Sequence, residues 1–516
     1  MTVSHWSRIF LLAAVLSPGP VRAQDSSLTP LTDAQKLYGL SMIWKEADYN
    51  FPLFKRLPAL NWDSTYQAFI PRVLESTTTI DYYRALIRFT ALLQDGHTQV
   101  TMPAWVRQQH VFDQPDVRVT AVDGHAIVWN VEDTLASHIP VGSEIIAVDG
   151  VPTERYLARE VYPYIGAPAM RFREELAMVG WYVNGVGLLW GRAGTRVSVT
   201  VRTPAGGQRT VSLVRDGGTR RANWAREFPS GAPLTFRWLD DRVAYVALNT
   251  FSAWASEADR FDSIAPQLRQ ASGLLLDMRQ NGGGNNSVGR QIIARYLTSD
   301  TLVGARWRAR INNAAFRAWG HYLGQEWARD YWPYYTGDAW YDAPPETVAP
   351  DTAFRKLAVP IVVLMGRNTG SAAEDFVIWL DGAKNVTLVG EPTTGSTGQT
   401  IEIDLPGGGT ARILAKHDTY ADGREFVGIG IQPDVLVEPT VDDVIHDRDG
   451  MLARALEVLR ERLRQRGVKE EVWRAGSGHP KWGMSTDTWS GGRVSEILAE
   501  RPREMPGDAG TSPRAT

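Results

Sequence analysis

The sequence predicts an α/β protein built from several parts, and three observations predict it. The first is length: 516 residues exceed what one hydrophobic core organises, so about two to four domains are expected. The second is a change of period along the chain. Helical spacing up to residue 102 gives way to short alternating strands up to about 220, and then to strands and helices in turn from 235 to 440. The third is a set of apolar runs, "GLLLDMR", "PIVVLMG" and "VTLVG". Such runs are the pattern of strands buried on both faces of a parallel sheet.

Taken in order, residues 1–23 read as a secretory signal peptide. Arg8 precedes an apolar run from Ile9 to Leu16, a Pro/Gly break follows, and small residues end at Ala23. The chain is therefore expected to be exported, to the periplasm or the medium. The run is too short for a permanent membrane span, so the mature chain is expected to carry no integral membrane segment. Residues 28–102 read as a helical domain, with cap candidates in "STTTID". Residues 103–220 read as a β domain with a helical insertion, and the turn "PAGG" closes a hairpin within it. Residues 235–440 form the α/β core, 441–466 a last helix, and 467–516 a Gly/Pro/Ser/Arg-rich tail without periodicity, expected to be disordered.

Composition excludes some chemistry. Hydrophobic content of 43% and charged content of 22% suit a soluble globular protein, and a net charge of -3 gives no reason to expect nucleic acid or an anionic membrane as partner. The absence of cysteine rules out disulfides, a thiol nucleophile and a thiolate metal site. No HExxH helix is present, and neither a metal nor a cofactor is expected. Between Leu302 and Pro350 aromatic residues are dense, from Trp307 to Tyr341. They fit either the wall or lid of a cleft, or a packed hairpin.

Three stretches carry candidate chemistry. In "PIVVLMGRNTGSAAEDFVIWL" a strand turns into a helix at Ser371. Serine there is either a helix cap or an exposed nucleophile at the positive end of a helix. In "LLLDMRQNGGGNN" a strand runs into Gly282, Gly283 and Gly284. Glycines let backbone N–H groups face a ligand, so Gly283 or Gly284, with the N–H of Ala372, could form an oxyanion hole. In "LLQDGHTQV" His97 follows an Asp-Gly turn, and in "DGREFVGIGIQPD" Glu425 lies near the start of a strand-like run. A buried carboxylate could orient a histidine.

These motifs carry a resemblance. "IPVGSEIIAVDGVPTERYL" resembles the PDZ signature of bacterial proteases. "LLLDMRQNGGG", "NTGSAAEDF", "LVGEPTTGSTGQ" and "GIGIQPDV", in that order, resemble the C-terminal processing peptidase and tricorn protease family of serine peptidases. The resemblance implies a crotonase-like (ClpP/crotonase-type) core behind a PDZ-like domain, a polypeptide substrate, and a nucleophile at Ser371 with Glu374 three residues on. It leaves homo-oligomerisation open. C-terminal processing peptidases use a lysine base, but the matching position here is Ser396. The tricorn-like branch uses a histidine in a stretch similar to that of His97, which the resemblance therefore implies as the base. Where that branch carries a supporting glutamate, Val427 stands here; Glu425, two positions away and so on the same face of a strand, is the expected substitute. The serine that usually precedes the tricorn histidine is Gly96. The expected function is serine endopeptidase action. A non-catalytic ligand-binding relative, and an esterase or amidase using the same Ser–His pair, are the alternatives.

Overall fold

The computed structural model describes residues 31–180, 184–217, 223–228, 231–239, 242–252 and 257–467. The signal peptide and tail expectations lie outside the described residues. Among those described, no helix is long and apolar enough to cross a membrane.

Three helices open the chain: Asp33–Asn50, Trp62–Leu74 and Thr79–Ala91. Each starts where sequence supplies a cap. Thr32 and Gln35 form a capping box, and the side chains of Asn61 and Thr78 accept from Ser64 and Asp81 N–H groups. Apolar residues such as Leu40, Ile43, Tyr83 and Phe89 bury one side of this group.

The next unit is a sheet with its own core. Strands Val117–Val122, His125–Val131, Glu144–Val148, Arg196–Arg202 and Gln208–Val214 lie in that order, all antiparallel. The "PAGG" turn closes the last pair, with Thr203 N–H donating to Gly207 O at 2.8 Å. The inserted helix Met170–Val179 packs on the first strand, where Glu175 accepts from Thr120 Oγ1 at 3.1 Å and Ala121 N–H at 3.3 Å.

The α/β core is a six-stranded sheet ordered Leu234–Trp238, Val243–Leu248, Gly273–Asp277, Ile361–Met365, Val386–Gly390, Val435–Leu436. The first pair is antiparallel and the rest are parallel. Alternation explains why the central strands are apolar throughout. Leu274, Leu276, Val363 and Met365 face a core that holds Phe251, Phe376 and Trp379. Leu275, Val362 and Leu364 face the helix Gly450–Gln465 through Leu452, Ala455 and Leu459. Two layers of helix thus cover one sheet.

Two elements differ from expectation. The last helix is broken: Val441–His446 ends at Asp447, which takes a left-handed conformation (φ 54°, ψ 44°), before Gly450–Gln465 begins. The run 422–434 is not a strand. Gly428 and Gly430 have φ of 92° and 83°, and Gly430 N–H folds back onto Phe426 O at 2.8 Å. Strand structure resumes only at Val435.

The aromatic stretch forms an excursion between paired strands Arg306–Arg310 and Trp340–Asp342. Phe316 centres it, against Trp319, Tyr331 and Tyr334, while Trp319, Tyr322, Trp327 and Tyr341 are exposed. Asp48 O and Tyr49 O anchor it by accepting from Arg310 and Asn312 at 2.6 and 3.0 Å.

The β unit and the core meet at a buried charge cluster. Arg367 donates to Ala121 O at 2.7 Å and to Glu391 Oε2 at 3.0 Å, and its guanidinium lies 3.6 Å from Glu175. All three charged residues are buried.

Candidate active site

The strand Ile361–Met365 and the helix Ala372–Leu380 are joined by a turn tight enough to strain its last residue. Ser371 sits at φ 53°, ψ -128°, a region that costs a residue with a Cβ about 1–3 kcal/mol. Neighbours hold it there. Its N–H donates to Ser396 O at 3.0 Å and to the Glu374 carboxylate at 3.2 Å, and Gly370 N–H donates to Asn281 O at 3.0 Å. Gly283 packs so closely that a Cβ on it would lie 2.7 Å from both Gly370 O and Ser371 Cβ. Ser371 and Glu374 stand in a capping-box arrangement at the helix start, but the hydrogen bond of Glu374 N–H goes to the Ser371 carbonyl, at 2.7 Å, and not to the hydroxyl.

His97 reaches the elbow from the opposite end of the chain. The Asp95 carboxylate accepts Thr98 N–H at 2.6 Å, which turns the backbone as Asx side chains do. The strand Gln99–Thr101 then pairs with Thr410–Leu414 of the core hairpin, and Leu414 N–H donates to Thr98 Oγ1 at 3.0 Å. His97 Nε2 lies 3.3 Å from Ser371 Oγ, and Nδ1 lies 2.8 Å from Ser396 Oγ. Burial first, and then the cations Arg412 and Lys416, lower the imidazole to about 3. The ring is therefore neutral at physiological pH and able to receive a proton. In an NMR titration from about pH 8 to about pH 5, the His97 ring is expected to stay neutral, where an unperturbed histidine titrates near 6.5. A His97 transition near 6.5 would contradict this environment.

The loop 393–396 is tied to the nucleophile helix by Glu374. This buried carboxylate accepts from Thr393 Oγ1 at 2.5 Å, Thr394 Oγ1 at 3.1 Å, Gly395 N–H at 2.9 Å and Ser396 N–H at 3.1 Å. Burial pushes it up to about 7 against the pull of those donors.

The glycine loop lies beside the elbow. Gly283 N–H donates to Asn281 Oδ1 at 3.0 Å. The N–H groups of Gly284 and Ala372 meet no protein acceptor among the described residues. Ala372 begins the nine-residue helix, so its N–H is one of the groups left over at a helix start.

Glu425 lies elsewhere. Because its segment turns instead of running as a strand, the half-exposed carboxylate pairs with His417 Nε2 at 2.8 Å and Arg56 at 2.5 Å. Burial raises it, but these two partners outweigh burial and leave it below the usual value. The His97 ring makes its two hydrogen bonds to serines, so the expected Glu425–His97 pairing is corrected. Lys416, which fits no lysine-base motif, is held by Asp418 at 2.9 Å. Sequence reasoning noted Ser396 only as the position of a missing lysine.

Comparison with known proteins finds relatives among proteases. Residues 242–437 match the model of peptidase family S41. The chain is 26% identical over 440 residues to a carboxyl-terminal-processing protease of Picosynechococcus sp., covering 83% of this chain and 88% of that protein. It is 24% identical over 332 residues to the carboxy-terminal processing protease CtpA of Bacillus subtilis, covering 60% and 61%. The fold is similar to that of mature CPAF, with a TM-score of 0.63 at 15% identity, covering 84% of this chain and 98% of that one. Over residues 242–437 the chain is similar to peptidase family S41, and with its carboxyl-terminal-processing relatives this identifies it as a serine-type peptidase, a hydrolase.

Proposed function

We propose that this protein is an exported endopeptidase that hydrolyses peptide bonds through a Ser371–His97 acyl-enzyme mechanism, on a crotonase-like core served by a PDZ-like domain over residues 103–220. The observation that carries the reading is the 3.3 Å approach of His97 Nε2 to the hydroxyl of a strained Ser371. Separations of this size are usual before substrate tightens a site.

In this mechanism Ser371 Oγ–H donates to the neutral His97 Nε2, and Oγ attacks the carbonyl carbon. The developing oxyanion meets the N–H groups of Gly284 and Ala372 and the positive end of the helix Ala372–Leu380. His97 then protonates the leaving amine, and water, deprotonated by the same nitrogen, releases the acid product. Gly283, taken alongside Gly284 as a candidate donor, already spends its N–H on Asn281, which favours Gly284.

Treatment with a fluorophosphonate followed by peptide mass mapping tests the assignment. The expected result is a single adduct on Ser371, lost in Ser371→Ala, together with peptide turnover. Turnover of esters but not peptides would favour an esterase, and no adduct at Ser371 would favour a non-catalytic binding protein.

A further inference from the structure

We propose that the Ser396 hydroxyl is the partner that orients His97, accepting the Nδ1 proton so that Nε2 is free for Ser371, in a serine–histidine–serine array that works without a carboxylate. This rests on the reading of Ser371 as nucleophile and His97 as base.

The geometry supports it in four ways. Ser396 Oγ lies 2.8 Å from Nδ1, and Ser396 is buried, with 4% of its surface exposed, so water competes little for the contact. The hydroxyl fills the space that Gly96 leaves open: a Cβ on Gly96 would lie 2.6 Å from Ser396 Oγ and 3.2 Å from its Cβ. The residue is fixed at both ends, since its N–H donates to Glu374 at 3.1 Å and its carbonyl accepts the Ser371 N–H at 3.0 Å. One residue thus holds the backbone of the nucleophile and the ring of the base. Finally, each neighbouring carboxylate has a partner other than the ring, although Asp95 Oδ1 and Asp418 Oδ2 are buried without a hydrogen bond. Asp95 accepts from Thr98, Asp375 from Asn286, Asp418 from Lys416, and Glu425 from His417 and Arg56.

A hydroxyl and a carboxylate do different things on Nδ1. A carboxylate can only accept, so it fixes the proton on Nδ1; a hydroxyl does so only when it accepts from Nδ1 and its own proton points away, which is the arrangement the attack requires. Only a carboxylate also stabilises the imidazolium that follows. Ser396 is therefore a positioning residue, and its loss should act on the chemical step more than on substrate binding.

The test uses the full chain labelled with 15N-histidine. Wild-type His97 is expected to carry its proton on Nδ1. In Ser396→Ala the signal should move toward the Nε2–H tautomer, and kcat should fall about 10- to 100-fold with KM within about twofold. Gly96→Ala, whose methyl must displace the Ser396 hydroxyl, should reproduce both changes while the melting curve shows a folded chain. An unchanged tautomer in Ser396→Ala, or a loss expressed in KM alone, would overturn the proposal. The tautomer is read without turnover, so the assignment of Ser396 is decided even if phosphonate labelling shows that Ser371 is not the nucleophile.

Discussion

Replacing His97 by glutamine is expected to lower kcat/KM toward a peptide by about 10⁴-fold or more, with the fold intact. The size follows from the role. A serine hydroxyl is a weak nucleophile unless its proton is taken as attack proceeds, and members of such an array fail together rather than additively. Glutamine keeps much of the side-chain volume, and its amide can still meet Ser396 Oγ, so packing should change little. It cannot take a proton at neutral pH. Lys416, the lysine of the adjoining hairpin, is fastened to Asp418 at 2.9 Å. Steady-state kinetics with a thermal melt separates lost chemistry from lost folding. Activity within tenfold of wild type would mean that another group is the base.

The second large effect falls on stability. Arg367→Met is expected to destabilise the protein by about 3–5 kcal/mol, because it leaves Glu175 buried without its countercharge and Glu391 with only Arg171, at 3.4 Å. Burial already raises Glu175, and Arg367 is the chief group opposing that. The same guanidinium donates to Ala121 O at 2.7 Å, so the contact between the β unit and the core loosens as well. Denaturant titration measures the loss. Pairing Arg367→Met with Glu391→Gln should recover part of it, since removing both charges costs less than stranding one. A single variant as stable as wild type would show that the cluster adds little.

How far the sequence could be read depended on whether a feature was local. The central strands were legible because Leu274, Leu275 and Leu276 must all be apolar when both faces of a sheet are covered. Ser371 was legible because strand, polar turn and helix follow one another directly. His97 was not legible from spacing, and the family resemblance supplied it. Its ring meets Ser396, 299 residues on, and no local pattern encodes that contact. Glu425 failed for a definite reason. The run "GREFVGIGIQ" has the apolar content of a strand, but Gly428 and Gly430 turn the chain with left-handed dihedrals and carry the carboxylate to Arg56 and His417. The break of the last helix at Asp447 was likewise hidden, because a left-handed Asp is a choice of conformation that composition does not reveal.

The most direct measurement of the central claim is a crystal structure of the phosphonylated enzyme. Phosphorus is expected on Ser371 Oγ, with the phosphoryl oxygen about 2.7–3.1 Å from the N–H groups of Gly284 and Ala372 and His97 Nε2 facing the adduct with Nδ1 still on Ser396. An adduct on another residue, or a phosphoryl oxygen turned to solvent with His97 withdrawn from Ser371, would contradict it.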